Sequence, residues 1–354
     1  MSGASQGPRA AAIRLALAAA EPFYAGATRL RNRCYDAGVR SIHRLPRPVV
    51  SVGNLTTGGT GKTPMVQWLV ERLRGEGEHV AILSRGYKAG ASNMSDELVM
   101  LDRALNVPGR PPVLLRANPD RVKAGRELLG EHAEISVFVL DDGFQHRRIG
   151  RDLDVVLISA AEPFGFGHVL PRGLLREPLA GLRRAGAAVI THADQASPEA
   201  LVAIEAEIHR QNPALPVYHA SHAQVAVREE DPTAVHPMDE LSRQPYFVFC
   251  GIGNPHAFER QLARWGGRCV GSRFFNDHHR YTALDVKSLD AQAKAANARI
   301  LLTTDKDWVK IAGLASSDGE VPIWRVEMRI EFRQDDDNSL LTRVRQAIAS
   351  RDNS

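Results

Sequence analysis

The sequence is poor in cysteine, which excludes whole classes of small secreted and zinc-binding proteins. Its 354 residues include only Cys34, Cys250 and Cys269, and none of them forms a CxxC pair. A disulfide framework and a structural zinc site both need more cysteines at closer spacing. We therefore expect a reducing, cytosolic setting in which the three thiols are buried or incidental.

A long uninterrupted apolar run is also missing. The most apolar stretch near the N-terminus, residues 10–24, reads AAAIRLALAAAEPFY and is broken by Arg14, Glu21 and Pro22. Spanning a bilayer takes about 20 apolar residues, so no transmembrane helix is predicted. A charge inside the apolar stretch also argues against a signal peptide.

Arginines follow this stretch, and the combination allows two interpretations. They stand at positions 29, 31, 33, 40, 44 and 47. An apolar helix trailed by arginines is typical of a helix that lies in the membrane interface. It is equally typical of an N-terminal helix packed on the protein's own core, and the residues alone leave both open.

Composition and charge set broad limits. Hydrophobic residues make up 44% and charged residues 24%, as in ordinary globular proteins, and the length favours two domains. The net charge of +4 fits an anionic partner but does not identify one. A nucleic-acid binder is disfavoured because the arginines cluster near the N-terminus without a recognition motif. No obligate protein partner is indicated.

Short apolar runs that alternate with helical stretches predict an α/β fold with a mainly parallel sheet. The predicted strands of the larger domain are 48–52, 80–84, 135–140, 154–159 and 187–191, and those of a smaller α/β domain are 246–252, 268–275 and 300–304. We predict four segments. They are an amphipathic helix and basic segment at 1–45, a P-loop core domain at 46–240, the smaller domain at 241–335 and a C-terminal helix or tail at 336–354.

The strongest local motif is SVGNLTTGGTGKTP, residues 51–64, between a predicted strand and a predicted helix. Its glycines allow backbone N–H groups to converge on phosphate oxygens, and the following helix adds the partial positive charge of its N-terminus. Lys62 is predicted to reach the β- and γ-phosphates and Thr63 to bind Mg²⁺. Thr56 stands where the usual pattern has its first glycine. The predicted nucleotide-binding residues are Thr56, Thr57, Gly58, Gly59, Thr60, Gly61, Lys62 and Thr63.

Two adjacent acids follow the predicted strand ISVFVL. Asp141 and Asp142 begin the run DDGFQH, at the strand end where an open α/β sheet builds its site. A P-loop enzyme needs such a carboxylate to hold Mg²⁺, so both are candidate metal-site acids. The competing interpretation is a solvated acid pair in a strand-to-turn segment.

An ordered series of further motifs resembles the tetraacyldisaccharide 4′-kinase family, the lipid A kinases. The series covers roughly residues 45–310 and consists of SVGNLTTGGTGKTP, LSRGYKAG, DDGFQHRRI, LPRGLLREP, GIGNPHAFERQL, FNDHHRYT and TTDKD. The resemblance implies ATP and Mg²⁺ as cofactors and phosphorylation of the 4′-hydroxyl of a tetraacyldisaccharide 1-phosphate. It also implies a peripheral or monotopic protein at the cytoplasmic face of the inner membrane, held there by its N-terminal helix.

The resemblance carries specific residues over to this chain. Lys62 and Asp142 are implied in catalysis, together with an Asp96–His278 pair that activates the acceptor hydroxyl. Asp96 lies in a segment that reads SDEL where the family has GDEP, and His278 is followed by a second histidine, His279. Arg85, a candidate from its place after a strand, and Arg121 and Arg176, which resemble family arginines, are expected to contact substrate.

Two alternatives remain at this point. One is a P-loop kinase that acts on a different glycolipid or sugar, which a panel of acceptors would distinguish. The other is a nucleotide-driven switch or partitioning ATPase with a similar GGTGKT loop, which would hydrolyse ATP slowly without an acceptor and bind a protein partner. The FNDHH and REP segments have no evident purpose in such a switch.

Overall fold

The computed structural model describes residues 7–86, 95–231, 234–277, 279–314 and 320–352. The chain forms two compact units, one from Met1–His222 with Ile330–Ser354 and the other from Ala223–Arg329. We refer to them as unit 1 and unit 2 and describe each by itself.

The strands of the described residues follow in chain order. They are β1 (Val49–Asn54), β2 (Val80–Ser84), β3 (Leu114–Ala117), β4 (Val137–Asp141), β5 (Leu153–Ser159), β6 (Ala187–Thr191), β7 (Val217–Arg228), β8 (Val235–Pro237), β9 (Tyr246–Cys250), β10 (Cys269–Phe274), β11 (Ile300–Thr304) and β12 (Ile323–Phe332).

The α-helices of the same residues alternate with these strands. They are α1 (Pro8–Asp36), α2 (Lys62–Gly75), α3 (Asp96–Leu105), α4 (Arg121–Glu131), α5 (Pro198–Gln211), α6 (Pro255–Ala263), α7 (Ala283–Ala295), α8 (Asp305–Ile311) and α9 (Asp336–Asp352). Short 3₁₀ helices cover Gly165–Gly167, Leu179–Arg184, Ala193–Gln195 and Met238–Arg243.

Unit 1 is built on a parallel sheet with the strand order β7-β6-β5-β1-β4-β2-β3. Every neighbouring pair in that order runs parallel. Its central strands are buried along their whole length, as expected for apolar runs covered by helices on both faces. Because parallel strands end at the same edge, the loops after β1 and β4 meet there, and that edge carries the candidate site.

Unit 2 is a smaller α/β unit, as the sequence predicted. Strands β10, β9, β11 and β12 are neighbours in that order and run parallel. Helix α7 begins with a capping box, in which Thr282 accepts from the backbone of Asp285 and the Asp285 side chain accepts from the backbone of Thr282. Such reciprocal caps satisfy two backbone donors that a helix start leaves open.

The unit boundaries differ from the predicted domain boundaries. The sequence placed the change near 240, whereas the compact units divide at 222, within strand β7 (Val217–Arg228). The predicted separate tail, 336–354, belongs to unit 1. Its helix buries Leu340, Val344 and Ile348 in the same core as Val66 and other residues of α2.

Helix α9 fills the predicted C-terminal segment and starts at Asp336, with acidic residues in its first turn. Acidic side chains in a first turn are stabilised by the helix dipole. The Asp336 carboxylate in addition accepts a hydrogen bond from the backbone N–H of His219 at 2.7 Å.

Helix α1 packs on unit 1 through its second half and is exposed along its first. Ala25 is buried, and Tyr24 packs beside it in the same hydrophobic cluster. Ile13, Leu15 and Phe23 remain 56%, 73% and 81% exposed. Within the described ranges, no helix combines the length and the apolar character needed to cross a membrane.

Candidate active site

The phosphate-binding loop lies between β1 and α2, as the motif predicted. Gly58 and Gly61 adopt φ values of 130° and 79°, which an L side chain rarely adopts. Gly61 is the N-cap of α2, and no side chain caps that end. The first-turn N–H groups of α2 therefore lack a side-chain acceptor, and such a helix start is a ready anion site.

Hydrogen bonds that join Thr57 and Thr60 to residues outside the loop hold the loop in shape. The backbone N–H of Thr57 donates to the carbonyl of Leu174 at 2.8 Å, so that amide is already committed within the protein. Asn54 donates to the Thr60 hydroxyl at 2.8 Å, and Thr191 donates to the Thr60 carbonyl at 3.0 Å. The amide of Thr60 is likewise committed, to the carbonyl of Gly58 at 3.1 Å. The role of residues 56–63 in nucleotide binding stays a prediction.

Two histidines that the sequence analysis did not single out form one side of this loop. The rings of His192, after β6, and His222, on β7, stack at 4.2 Å between centroids. A Cβ placed on Gly61 would lie 2.2 Å from Nε2 of His222, so the imidazole rests directly on the glycine. Burial lowers the pKa of His222 to about 3, which keeps this wall of the loop uncharged near neutral pH.

The two predicted acids lie beside the loop because β4 is the neighbour of β1. Val52 pairs with Asp141 in that ladder. Asp142 is the next residue, with φ 51°, and its carboxylate lies 3.9 Å from Nζ of Lys62. Arg176 donates two hydrogen bonds from Nη1 to the same carboxylate, at 2.9 and 2.8 Å. The structure thus brings together three residues from distant parts of the sequence.

The pKa values of the two carboxyl groups are shifted in opposite directions. Burial raises the pKa of Asp141 to about 6, and the neighbouring charge of Asp142 adds to the effect. Burial also opposes ionisation of Asp142, but Lys62 and Arg176 outweigh it, and the pKa of Asp142 is lowered. Burial lowers the pKa of Lys62, which Asp142 offsets only in part.

Arg121 fixes the backbone that carries the two acids. Its side chain is buried, and its Nη2 donates to the carbonyls of Asp141 and Asp142 at 3.2 and 3.4 Å. It therefore fixes the backbone at the end of β4, with its charge near both carboxylates. Burial lowers the pKa of Arg121, although the two aspartates act against that effect.

The donor set fits a magnesium ion. Asp141 is 6% exposed, and its carboxylate accepts only a long hydrogen bond, from Ser84 at 3.4 Å, among the contacts of the described chain. A buried carboxyl with spare oxygen lone pairs beside a second carboxylate is the hard, oxygen-rich environment that Mg²⁺ prefers. Thr63 lies in the first turn of α2. Asp141, Asp142 and Thr63 are therefore the residues that would hold the ion.

The remaining predicted residues are placed as follows. Arg85 directly follows β2 and is exposed, and its charge contributes to the lowered pKa of Arg121. Asp96 is the first residue of α3, whose N-cap Ser95 accepts from the backbone of Leu98. His278 lies outside the described residues. The Asp96–His278 pair therefore stays a prediction.

Several residues at this edge were missed from the sequence. The charge of Glu97, next to Asp96, acts on both Lys62 and Asp141. Glu177 is buried and accepts from Asn32 of α1 at 2.8 Å and from Gln145 at 3.1 Å. Gln145 lies in DDGFQH and Glu177 in REP, and both segments belong to the motif series, so the sequence did carry a signal for these two residues. Only the fold shows that α1 reaches them.

Fold and site together place the chain among P-loop proteins that handle nucleoside triphosphates. The loop, the start of α2 and the paired acids of β4 lie at one sheet edge, where they could supply phosphate and metal ligands. The uncharged histidine wall beside the loop leaves Lys62 and the arginines as the cations of this site.

The family follows from comparison with known proteins. The family model described as tetraacyldisaccharide-1-P 4′-kinase matches residues 13–348. The chain belongs to this family. The predicted resemblance and the predicted fold class are both confirmed.

Individual relatives agree. A tetraacyldisaccharide 4′-kinase from Anaeromyxobacter dehalogenans is 37% identical over 345 residues, which cover 92% of this chain and 88% of that relative. One from Bdellovibrio bacteriovorus is 35% identical, covering 80% and 86%. A crystal structure of LpxK from Aquifex aeolicus in complex with ATP is similar with a TM-score of 0.72 and 27% identity, covering 95% of this chain and 99% of that one.

Substituting the glycine beneath the histidine should disrupt the loop. We expect Gly61→Ala to weaken ATP binding at least about tenfold and to lower the thermal midpoint. A Cβ there meets His222 at 2.2 Å, and φ is 79°. Isothermal titration calorimetry and thermal unfolding measure the two effects. Gly77→Ala is the matched control: it lies outside the phosphate loop with φ 89°, and among the described residues no heavy atom beyond its chain neighbours lies within 4 Å of its Cβ position. Equal behaviour of the two variants would contradict the tight packing at Gly61.

The opposite pKa shifts predict opposite effects of two isosteric substitutions in metal-free protein. The pKa of Asp141 is about 6, above its ordinary value of 3.8, so its ionisation destabilises the fold as pH rises through that range. We expect Asp141→Asn to raise the free energy of unfolding at pH 8 by an amount on the order of 2 kcal/mol and by about half as much at pH 5, because the unfolded carboxyl is already ionised there.

Asp142→Asn is the control of opposite sign. The pKa of Asp142 is lowered, so its stabilising contribution is complete above its ordinary pKa and is lost only in more acidic solution. This variant should therefore be destabilised at both pH 5 and pH 8. Urea unfolding followed by circular dichroism measures both. A destabilised Asp141→Asn protein at pH 8 would contradict the claim that ionisation of this buried carboxyl destabilises the fold.

Proposed function

We propose that this chain transfers the γ-phosphate of ATP to the 4′-hydroxyl of a tetraacyldisaccharide 1-phosphate, which forms the 1,4′-bisphosphorylated lipid. The observation that carries the proposal is the contact of Asp142 with both Lys62 and Arg176 beside the phosphate loop, in a chain of this kinase family. It assembles three groups that phosphoryl transfer requires at the carboxyl edge of the sheet.

The cations of the site account for most of the expected chemistry. Charge that develops on the transferring phosphoryl group is stabilised by groups fixed in advance, because they need no reorganisation during the reaction. Lys62 is 18% exposed and Arg176 is 26% exposed, so both are partly shielded from water. When bound, Mg²⁺ adds positive charge against the phosphate oxygens. Arg176 and Lys62, now held by Asp142, would turn towards phosphate when substrates enter.

The acceptor hydroxyl needs a proton acceptor. The resemblance assigns this task to Asp96 with His278. Asp96 begins α3 and is partly exposed, so its carboxylate is accessible. General-base assistance of this kind contributes typically about 10²–10⁴-fold. Phosphate-binding arginines such as Arg85 suit the anionic 1-phosphate of the acceptor, since a guanidinium matches phosphate geometry.

Access to a lipid acceptor is the role we propose for α1 and the basic segment after it. The first half of α1 presents Leu15 and Phe23 to solvent at 73% and 81% exposure, and five arginines lie along the helix. Exposed apolar side chains near arginines favour a helix in the interface of an anionic bilayer. Peripheral attachment at the cytoplasmic face of the inner membrane follows as the proposed location.

Substituting Lys62, the lysine of the phosphate loop, tests the proposed reaction. We expect Lys62→Ala to reduce transfer of labelled γ-phosphate to the disaccharide 1-phosphate by at least about 10²-fold, since a preorganised charge on the transition state is lost. Lys123→Ala is the control, because Lys123 is 66% exposed on α4. Thin-layer chromatography of the lipid products is the readout, with circular dichroism to verify folding. Absence of any phosphorylated lipid from the wild-type protein would refute the assignment, and an acceptor panel would then separate other glycolipids from acceptor-free hydrolysis.

Replacing exposed apolar side chains of α1 tests membrane attachment. We expect the double substitution Leu15→Ser and Phe23→Ser to weaken binding to phosphatidylglycerol vesicles by about tenfold or more, since each buried side chain is worth about 1.5–3 kcal/mol. Sedimentation with vesicles measures the bound fraction.

The control keeps the number of lost apolar groups equal. Val202→Ser with Leu284→Ser alters side chains that are 65% and 77% exposed elsewhere. Point substitutions are preferable to deleting residues 1–35, because Tyr24 and Asn32 of α1 contact the loop that carries Arg176 and Glu177. Unchanged vesicle binding of the α1 variant would eliminate the interfacial helix.

A further inference from the structure

A second cavity of unit 1 lies at the opposite edge of the sheet from the phosphate loop. It measures about 580 Å³ and is open to solvent. Its lining includes Leu153 at the start of β5 and Gly186 just before β6, together with residues of α9. These are amino ends of parallel strands, whereas the loop 55–61 follows the carboxyl end of β1. Strands of this length span roughly 20 Å, so the cavity is separate from the nucleotide site.

The side chains around the cavity are dominated by one charge. Among the side chains that the structure describes, four arginines line it, accompanied by one carboxylate, Asp152. That carboxylate is already engaged: one oxygen accepts from the backbone N–H of Val49 at 2.8 Å and the other from Arg44 at 3.3 Å. Arg151 is likewise paired, with Asp154 at 2.9 Å. The unbalanced charge therefore comes from the remaining arginines of the lining, Arg343 and Arg351.

Both of these arginines are partly buried and bonded only to backbone. Nε of Arg343 donates to the carbonyl of Gly186 at 2.5 Å, and Nη2 of Arg351 donates to the carbonyl of Leu45 at 3.2 Å. Among the described residues neither has a carboxylate within ion-pair distance. The carbonyl contact of Arg343 uses its inner N–H and leaves its terminal NH₂ groups available. Partly desolvated guanidinium groups without a counter-charge are costly, and a bound anion removes that cost.

The strand ends at Asp154 and Gly186 hold Arg151 and Arg343 close to each other. The N–H of Gly186, whose carbonyl holds Arg343, donates to the carbonyl of Asp154 at 2.9 Å, and the side chain of Asp154 holds Arg151. A Cβ on Gly186 would lie 2.5 Å from Leu153, so the strand ends are close-packed here. Both arginines of the proposed site stand on helix α9: Arg343 is anchored to the close-packed strand ends, and Arg351, about two turns further along, is anchored to the carbonyl of Leu45.

We propose that this cavity is a second anion site, which binds a phosphate group between Arg343 and Arg351. Planar guanidinium groups with free terminal N–H pairs match phosphate oxygens in a bidentate manner. A volume of about 580 Å³ falls within the range for sites that take small phosphorylated molecules. The phosphate belongs either to a soluble molecule or to the headgroup of an anionic lipid. The site does not depend on the proposed kinase activity.

Removing both free cations tests the site with inorganic pyrophosphate as the probe. We expect the double variant Arg343→Gln with Arg351→Gln to lose the pyrophosphate binding of the cavity, with affinity there at least about tenfold weaker, because hydrogen bonds to charged groups are lost. Isothermal titration calorimetry measures the affinity. The phosphate loop is unchanged in this variant, so a difference from wild type reports the cavity.

A charge-matched control separates local from general electrostatics. The variant Arg183→Gln with Arg299→Gln also removes two positive charges, but from exposed positions elsewhere. This control should bind pyrophosphate as the wild-type protein does. Vesicles of phosphatidylglycerol, compared with phosphatidylcholine, identify the source of the phosphate. If the cavity variant loses pyrophosphate binding alone, the ligand is soluble. If it also binds phosphatidylglycerol vesicles more weakly than the charge-matched control, in which α1 is equally intact, the ligand is a lipid headgroup. Wild-type affinity for both probes in the cavity variant would overturn the proposal.

A measurement on the unaltered protein covers the case in which the variant misfolds. Phenylglyoxal modifies accessible arginines, and mass spectrometry of peptides from the wild-type protein reports each position. We expect pyrophosphate to slow modification of Arg343 and Arg351 at least about fivefold, as a bidentate contact shields the guanidinium, while Arg183 and Arg299 react at an unchanged rate. Equal modification of all four positions with and without pyrophosphate would also overturn the site.

Discussion

Two adjacent carboxylates, which we propose as metal ligands, lie at the end of β4, and Asp141 is almost fully buried. Burial and, after it, the like charge of Asp142 raise the pKa of Asp141 to about 6. The surrounding cations limit that rise. Lys62 and Arg176 compensate Asp142 directly, and Arg121 holds the backbone of both acids from the buried side. Much of the architecture of unit 1 serves to bring these groups, from four separate segments, to one edge.

The arrangement also explains why the segment LPRGLLREP is folded against the phosphate loop. The backbone N–H of Arg176 donates to the carbonyl of Leu55 at 2.7 Å, and that of Thr57 donates to the carbonyl of Leu174 at 2.8 Å. The loop and the segment therefore form one small backbone-paired layer. The side chain of Arg176 is delivered from that layer onto Asp142, so the shape of the phosphate loop and the charge balance of the acids depend on each other.

The sequence revealed those parts of the site that are local in the chain. GGTGKT and DDGFQH each combine a strand end with its chemistry in a few residues, and both were found without a structure. The histidine wall was missed because His192 and His222 meet Gly61 only through strand order, which local pattern does not encode. The strands β7 and β12 were missed for a different reason. Polar and half-buried residues run through them, so they lack the continuous apolar signature of the central strands.

Helix α1 has a second half that is part of the site's supporting structure. Tyr24 donates to the carbonyl of Arg176, Arg31 to the carbonyl of Gln145, and Asn32 to Glu177, while the first half projects its apolar side chains outward. A continuous helix of 29 residues is about 43 Å long, although Pro22 lies within it. Under the proposed membrane attachment, one half of the helix is fixed beside the acids, so a bilayer that took up the other half would also set the height and the orientation of the phosphate loop above the lipid surface. Anchoring and orientation would then be one event, and the helix would decide the direction from which the acceptor sugar reaches the site.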